Sequence, residues 1–317
     1  MSFSTEVRKE LARIIPDKEC CCGAELSALL IGRGELLKQG ENWQLQLGTE
    51  NATTMRKAYK LIRRRYDWQP TVGQQEERRF NRSRIYTLNC SLNSTQREDL
   101  EKIVPLSPQQ MIRRQVNLKI LGRQCCRRAF IRGLFLCHGF VNRPENSYHL
   151  ELIVEDSRMA ADVRKLVQSM GVYLRQSERK GQLILYLKDA EQIVDFLRIV
   201  EASSALLELE NVRIVKSMRN QVNRQVNCEN ANMDKTINAS IRQVELIEQL
   251  LAEKKFKGLS PQLKMVAVLR VDHPDATLKE LGQMMDPPLS KSGIAYRMRR
   301  LEEIADRELN RPEMTDR

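Results

Sequence analysis

Long apolar runs are missing from this 317-residue chain, and so are the compact ligand signatures of a metalloenzyme. No stretch approaches the roughly 18–20 consecutive apolar residues that a membrane-spanning helix needs. The opening Met1-Ser-Phe-Ser-Thr-Glu-Val-Arg-Lys-Glu-Leu11 is mixed in charge and lacks the apolar centre of a secretion signal, so a cytoplasmic protein is expected. The three histidines, His138, His149 and His273, show no H-E-x-x-H or comparable spacing. Cys20-Cys21-Cys22 and Cys125-Cys126 are adjacent runs and not C-x₂-C pairs. Reduced thiols packing as small apolar groups are the expectation for them, and neither metal nor cofactor is assigned.

Acidic residues are also scarce, 41 against 53 basic ones, and the imbalance is local. Between Arg56 and Arg123 stand 16 basic and 6 acidic residues, whereas from Ala205 onward the count is 19 against 17. A basic stretch of that density attracts polyanions, of which nucleic acid is the commonest in a cytoplasm.

What the chain does have is a repeat. With Cys20 set on Cys125, an offset of 105 residues holds without a gap. Ala24 then meets Ala129, Leu29 meets Leu134, Gly34 meets Gly139, Leu45 meets Leu150 and Leu61 meets Leu166. One long offset indicates two copies of a structural unit and excludes a solenoid of short repeats. Each copy predicts an apolar helix (20–37, 125–141), an alternating strand (43–47, 148–154), and an amphipathic helix (52–66, 157–170). A hairpin follows, clearest as 172–178 and 182–187 around Arg179-Lys180-Gly181, and then a closing helix (94–103, 190–200). The expected class is α+β: two tandem αββαββα repeats, about 18–105 and 125–200, in a two-lobed domain over 1–205. A connector over 206–225, with helix expected through Val212–Val226, leads to an all-α domain over 226–317.

The C-terminal part reads as a helix-turn-helix. Ser260-Pro261 opens one helix, and Thr277-Leu-Lys-Glu280 is a capping box opening a short second one. Asp286-Pro287-Pro288 interrupts the chain, and Ser290 caps a last helix. In that helix Ile294, Met298 and Leu301 share one face, which leaves Ser292, Tyr296 and Arg299 on the other. Lys291, Ser292, Tyr296 and Arg299 are the candidates for base edges. Arg297 and Arg300 are candidates for phosphate contacts on double-stranded DNA, and Thr277, Lys279 and Ser290 are further DNA-binding candidates. The pattern resembles the helix-turn-helix with which bacterial sigma factors read the upstream promoter element.

Leu26-Ser-Ala-Leu-Leu-Ile-Gly-Arg-Gly34 and Ile131-Arg-Gly-Leu-Phe-Leu-Cys-His-Gly139 resemble degenerate LAGLIDADG helices of homing endonucleases. That resemblance implies two helices packed at a pseudo-twofold axis through small residues, Ala28 and Gly32 against Gly133 and Cys137. It also implies a saddle of strands lying on DNA. In that family the penultimate motif residue is the metal-binding acid; here the positions hold Arg33 and His138. A guanidinium and an imidazole cannot replace paired carboxylates around hard Mg²⁺. No catalytic residue is therefore expected, and the basic hairpin residues Arg78, Arg79, Arg82, Arg84, Arg175, Arg179 and Lys180 become candidates for a second DNA surface.

The strings Cys125-Cys-Arg-Arg-Ala129, Ser147-Tyr-His-Leu-Glu151, Asn211-Val-Arg-Ile-Val215, Arg219-Asn-Gln-Val-Asn-Arg-Gln-Val-Asn-Cys-Glu229 and Asp286-Pro-Pro-Leu-Ser-Lys-Ser-Gly293 extend the resemblance over essentially the whole chain. They are similar to the bacterial WhiA family. What this implies is a non-enzymatic, nucleoid-associated DNA-binding regulator of sporulation, or of cell division and chromosome segregation, in Gram-positive bacteria. Other regulators or division proteins are implied as further partners. The alternative is a non-specific nucleoid-coating or scaffold protein acting through protein contacts, and the oligomeric state stays open.

Overall fold

The computed structural model describes residues 2–40, 42–66, 68–77, 83–252 and 255–309. The chain divides into two compact units, Met1–Lys216 and Ser217–Arg317. Among the described residues no helix is long and apolar enough to cross a membrane.

The first unit opens with α1 (Phe3–Arg13) and then runs through the two repeats. Repeat one is α2 (Glu19–Arg33), β1 (Gly34–Gln39), β2 (Asn42–Thr49), α3 (Ala52–Tyr66), β3 (Thr71–Glu77), β4 (Ser83–Leu92) and α4 (Ser94–Glu101). Repeat two is α5 (Gln124–His138), β5 (Gly139–Val141), β6 (Leu150–Val154), α6 (Ser157–Gln168), β7 (Arg175–Arg179), β8 (Gln182–Leu187) and α7 (Ala190–Val200). The two antiparallel sheets have the same strand order, β1-β2-β4-β3 and β5-β6-β8-β7. The expected α+β class and αββαββα repeat are what the molecule has.

The opening helix of each copy is shorter than the apolar run suggests. It stops at Arg33 and His138, and the residues beyond form β1 and β5. Gly34 and Gly139 make this abrupt change from helix to extended chain feasible. A Cβ on Gly34 would lie 2.7 Å from the Leu30 carbonyl oxygen, and one on Gly139 would lie 2.2 Å from the Phe135 ring.

The core of this unit is built around α2 and α5, which lie side by side with their N-terminal ends together. The small residues expected at their seam meet there. A Cβ on Gly133 would fall 2.6 Å from Glu25 O and 2.9 Å from the Ala28 Cβ, and one on Gly32 would fall 2.9 Å from the Cys137 Cβ. Leu26, Leu29, Leu30, Ile31, Phe130, Ile131, Leu134 and Phe135 are all buried around the seam. Each aliphatic or aromatic side chain removed from water there contributes about 1.5–3 kcal/mol.

Three charged groups are set into this apolar centre, with a half-exposed fourth, Glu201, at its edge. Glu25, fully buried, accepts from Arg132 Nε at 2.9 Å and Nη2 at 3.1 Å and pairs with the Lys57 ammonium. Arg132 Nη1 reaches Glu201 at 2.6 Å, and Lys57 also donates to the Leu11 carbonyl at 2.7 Å. α2, α3, α5 and the end of α7 are joined at one point. Burial brings the Lys57 ammonium down to about 8 despite the carboxylate beside it. α1 is tied to the second repeat through Ser4, whose hydroxyl donates to Val141 O at 2.7 Å and accepts from Val141 N at 2.8 Å.

Residues 203–252 are one helix, α8 (Ser203–Ala252), whose start is capped by the Glu10 carboxylate accepting from Ser204 N and Ala205 N. The polar, asparagine-rich segment read as a connector is thus helical throughout. Its apolar content is too low for a buried element, but nothing in it breaks a helix.

In the second unit α9 (Pro261–Asp272), α10 (Leu278–Gln283) and α11 (Lys291–Leu309) follow α8. One apolar cluster joins Val266, Leu281, Met285, Ile294 and Met298; another joins Ile247, Leu259, Ala267 and Leu301. The buried Arg270 guanidinium donates to the carbonyls of Pro274 (3.3 Å) and Ala276 (2.7 Å), which fixes the loop between α9 and α10.

Candidate nucleic-acid interface

The three signals that delimit α10 and α11 act as the sequence suggested. Thr277 Oγ1 accepts from Glu280 N at 3.3 Å while Glu280 accepts from Thr277 N at 2.7 Å, and Ser290 Oγ accepts from Gly293 N at 3.2 Å. Between the two helices the Leu289 N–H donates to Gly282 O at 2.8 Å. A Cβ on Gly282 would lie 2.3 Å from Leu289 O, so this turn accepts only glycine. Gly282 therefore sets how α11 leaves α10.

α11 is consequently two-faced. Ile294, Met298 and Leu301 are buried, while Lys291, Ser292, Tyr296, Arg299 and Arg300 are exposed, Tyr296 to 71%. The exposed residues differ in their engagements. Arg297 donates to Gln262 at 3.1 Å, and Arg300 pairs with Glu303 at 2.9 Å. Ser290 and Ser292 hydroxyls lie 2.9 Å apart, and the Thr277 hydroxyl serves the capping box. Lys279, Lys291, Tyr296 and Arg299 project into solvent.

In the first unit the two sheets each offer one face away from the helices. On the first sheet, the row Leu36, Leu45, Leu47, Leu88, Cys90 and Leu92 is buried, and the alternate row carries Gln44, Gln46, Thr87, Asn89 and Ser91. Gln44 accepts from the Ser91 hydroxyl at 3.0 Å across this face. Arg84 falls in the row of Tyr86 and Leu88. Side chains alternate along the strand, and Arg84 lies an even number of residues from the buried Leu88, but at the strand end it is exposed. Arg78, Arg79 and Arg82 lie outside the described residues.

On the second sheet Arg175 pairs with Tyr186, and Arg179 with Gln182, in the row opposite to the partly buried Leu183 and the buried Leu185 and Leu187. Both arginines are exposed, and the hairpin turns through Lys180 (φ 52°) and Gly181 (φ 74°). The rest of that face is less polar, with Ile153, Ile184 and Tyr186, and a His149–Glu151 pair at 3.1 Å.

The motif positions that an endonuclease fills with acids lie together at the C-terminal ends of α2 and α5. His138 Nε2 sits 3.1 Å from Gly32 O, and Arg33 donates to Cys137 O at 3.4 Å. Arg114 donates to Leu30 O at 3.2 Å and Ile31 O at 2.5 Å, and Arg8 donates to Gly139 O. Terminal carbonyls carry the negative end of each helix dipole, so three guanidiniums here satisfy charge and hydrogen-bonding capacity together. Burial, with Arg33 alongside, holds the His138 imidazole below its usual range. Arg8, Arg33 and Arg114 line a cleft of about 510 Å³ with Glu35, Glu50 and Thr49. Among the described residues the acids there do not converge with a third ligand.

The sequence reading missed Arg8 and Arg114 as members of this cluster, and missed the amide-and-hydroxyl face of the first sheet. The strings Trp43-Gln-Leu-Gln-Leu47 and Leu88-Asn-Cys-Ser-Leu92 carried the second signal, since their polar alternates are all uncharged.

Three domain families match the chain in order: the WhiA N-terminal LAGLIDADG-like domain over 19–104, the WhiA LAGLIDADG-like domain over 127–219 and the WhiA C-terminal HTH domain over 222–305. The "Probable cell division protein WhiA" of Syntrophomonas wolfei subsp. wolfei is 51% identical over 96% of this chain and 97% of its own. Its counterpart in Heliobacterium modesticaldum is 45% identical over 96% of each. The crystal structure of full-length DUF199/WhiA from Thermatoga maritima has the same fold, with a TM-score of 0.61 at 23% identity over 97% of this chain and 99% of that one. With this identity running through both lobes and the helix-turn-helix alike, the chain belongs to the WhiA family.

Proposed function

We propose that this protein is a non-enzymatic regulator that binds double-stranded DNA through α11 and acts, as a transcription factor, in cell division and chromosome segregation or sporulation. The observation that carries the reading is the two-faced α11: its apolar side is locked by Gly282 and the Ile294–Met298–Leu301 stripe, and its other side offers Lys291, Ser292, Tyr296 and Arg299. Such a helix fits a major groove with its N-terminal residues against base edges. Arg299 and Lys291 are the side chains suited to guanine O6 and N7, and Arg297 and Arg300, already held by neighbours, suit phosphate oxygens. The relatives' name, cell division protein, supports the cellular role.

The open face of the first sheet is a second DNA contact in this reading. Gln44, Gln46 and Asn89 have the side-chain type that pairs with adenine edges, and Arg175, Arg179 and Lys180 on the other lobe supply charge for the backbone. Cleavage is not part of the function, because Arg33 and His138 stand where two acids would hold the metals.

Selection of genomic fragments by the full chain across a series of salt concentrations tests both surfaces. A short selected motif is expected. Arg299→Ala should weaken it by about 1–3 kcal/mol, whereas Arg175→Ala/Arg179→Ala should flatten the salt slope by about 1 per lost phosphate contact and leave the motif unchanged. Equal binding of all fragments by wild type and Arg299→Ala would refute sequence reading by α11 and favour a nucleoid-coating scaffold.

A further inference from the structure

The two ends of the α2–α5 pair are unlike. One carries the arginine and histidine cluster; at the other the two cysteine runs, which the sequence placed at equivalent positions of the two repeats, come to the same point in space. The Sγ atoms of Cys20, Cys21, Cys125 and Cys126 all lie within 4.8 Å of one another, with Cys20 and Cys21 at 4.0 Å. We propose that these four thiols form a structural site for a single tetrahedrally coordinated thiophilic divalent cation, zinc being the one best suited.

The geometry selects the occupant. Zn–S bonds of about 2.3 Å in a tetrahedron hold the sulfurs about 3.8 Å apart, close to the spacing found. An iron–sulfur cluster interposes several iron and sulfide atoms between its cysteines and needs a wider ring of thiols than this one. Soft thiolates disfavour Mg²⁺ and Ca²⁺.

The surroundings suit the charge. Binding forms four metal–sulfur bonds and releases four thiol protons to solvent, so one Zn²⁺ among four thiolates leaves a net charge of −2. The N-termini of both α2 and α5 point their positive ends at the site, and their N-cap residues are Lys18 and Arg123, neither of which accepts a hydrogen bond with its side chain. No capping side chain therefore competes with the sulfurs for the first-turn N–H groups, of which those of Cys21 and Cys126 donate to the Lys18 and Arg123 carbonyls. Cys21 and Cys126 are buried, while Cys20 and Cys125 are partly exposed, which gives the ion a way in. Cys22, next in sequence, takes no part: its thiol donates to Pro16 O at 3.3 Å.

Zinc content of the full-length protein, purified with a thiol-free reductant, and its titration with Co²⁺ are the test. One zinc per chain is expected, replaceable by Co²⁺ with the visible bands of a tetrahedral tetrathiolate. Cys20→Ser/Cys125→Ser should lose that equivalent and the spectrum, and Cys228→Ser, altering an exposed cysteine of the second unit, should keep both. Wild-type protein with four reduced thiols, no stoichiometric zinc and no cobalt spectrum would overturn the proposal. So would a Cys20–Cys125 or Cys21–Cys126 disulfide found by mass spectrometry in protein from reducing cytosol, or a zinc that survives the double substitution. None of these outcomes bears on DNA binding, so the two proposals stand or fall apart.

Discussion

Glu25 joins two buried cations at the centre of the first unit. Its carboxylate is in direct contact with both Lys57 and Arg132, each less than 5% exposed. Replacing it leaves two buried cations facing each other, a change that costs about 3–5 kcal/mol where one partner of a buried pair is removed. Glu25→Gln is expected to lower the unfolding midpoint in urea accordingly, with an unchanged m value. Cys90 gives a cleaner pH signature. Burial alone pushes its thiol up to about 11. Below pH 9 the thiol is protonated in both states. Above it the unfolded chain ionises while the folded one does not, so the unfolded state is favoured as pH rises. The stability advantage of wild type over Cys90→Ala should therefore shrink by about 1.4 kcal/mol per pH unit between pH 9 and 11, measured by denaturant titration.

At the scale of elements, the close helix contacts are the sensitive points. Gly282→Ala forces a Cβ to within 2.3 Å of Leu289 O, so the turn between α10 and α11 must open. DNA selection should be lost in that variant while circular dichroism keeps its helical content. The elements themselves were largely readable. Period-two alternation found β2, β6 and the second hairpin, and the caps Thr277 and Ser290 found the starts of α10 and α11. β1 and β5 were not found, because Leu36-Leu37 and Phe140-Val141 continue the apolar run of the helix before them. Only the glycine between, tight against Leu30 and Phe135, marks the change. Long-range pairing was the least legible. Glu25 and Arg132 are charged residues inside apolar helices, a sign that they are paired, but nothing local says they pair with each other. In the same way Cys20-Cys21 and Cys125-Cys126 could be matched by repeat register without any sign that they meet.

For the whole molecule the question of chemistry reduces to the ends of the central helix pair. Arg33 and His138 close those ends by donating to, or lying against, the opposite helix's last carbonyls. Full-length protein is expected to leave supercoiled plasmid intact with Mg²⁺ or Mn²⁺. Nicking that disappears with Glu35→Gln or Glu50→Gln, the acids lining the cleft, would contradict a non-enzymatic role.

The two lobes share a strand order but belong to one chain, so no symmetry obliges their open faces to stay alike. They have not stayed alike: Gln44, Gln46, Thr87 and Asn89 on one correspond to His149, Glu151, Ile184 and Tyr186 on the other. A homodimer built from the same fold would impose identical half-sites on any duplex lying across it. Here each lobe is free to be changed without the other, and under the proposed second DNA contact the footprint need not be a palindrome.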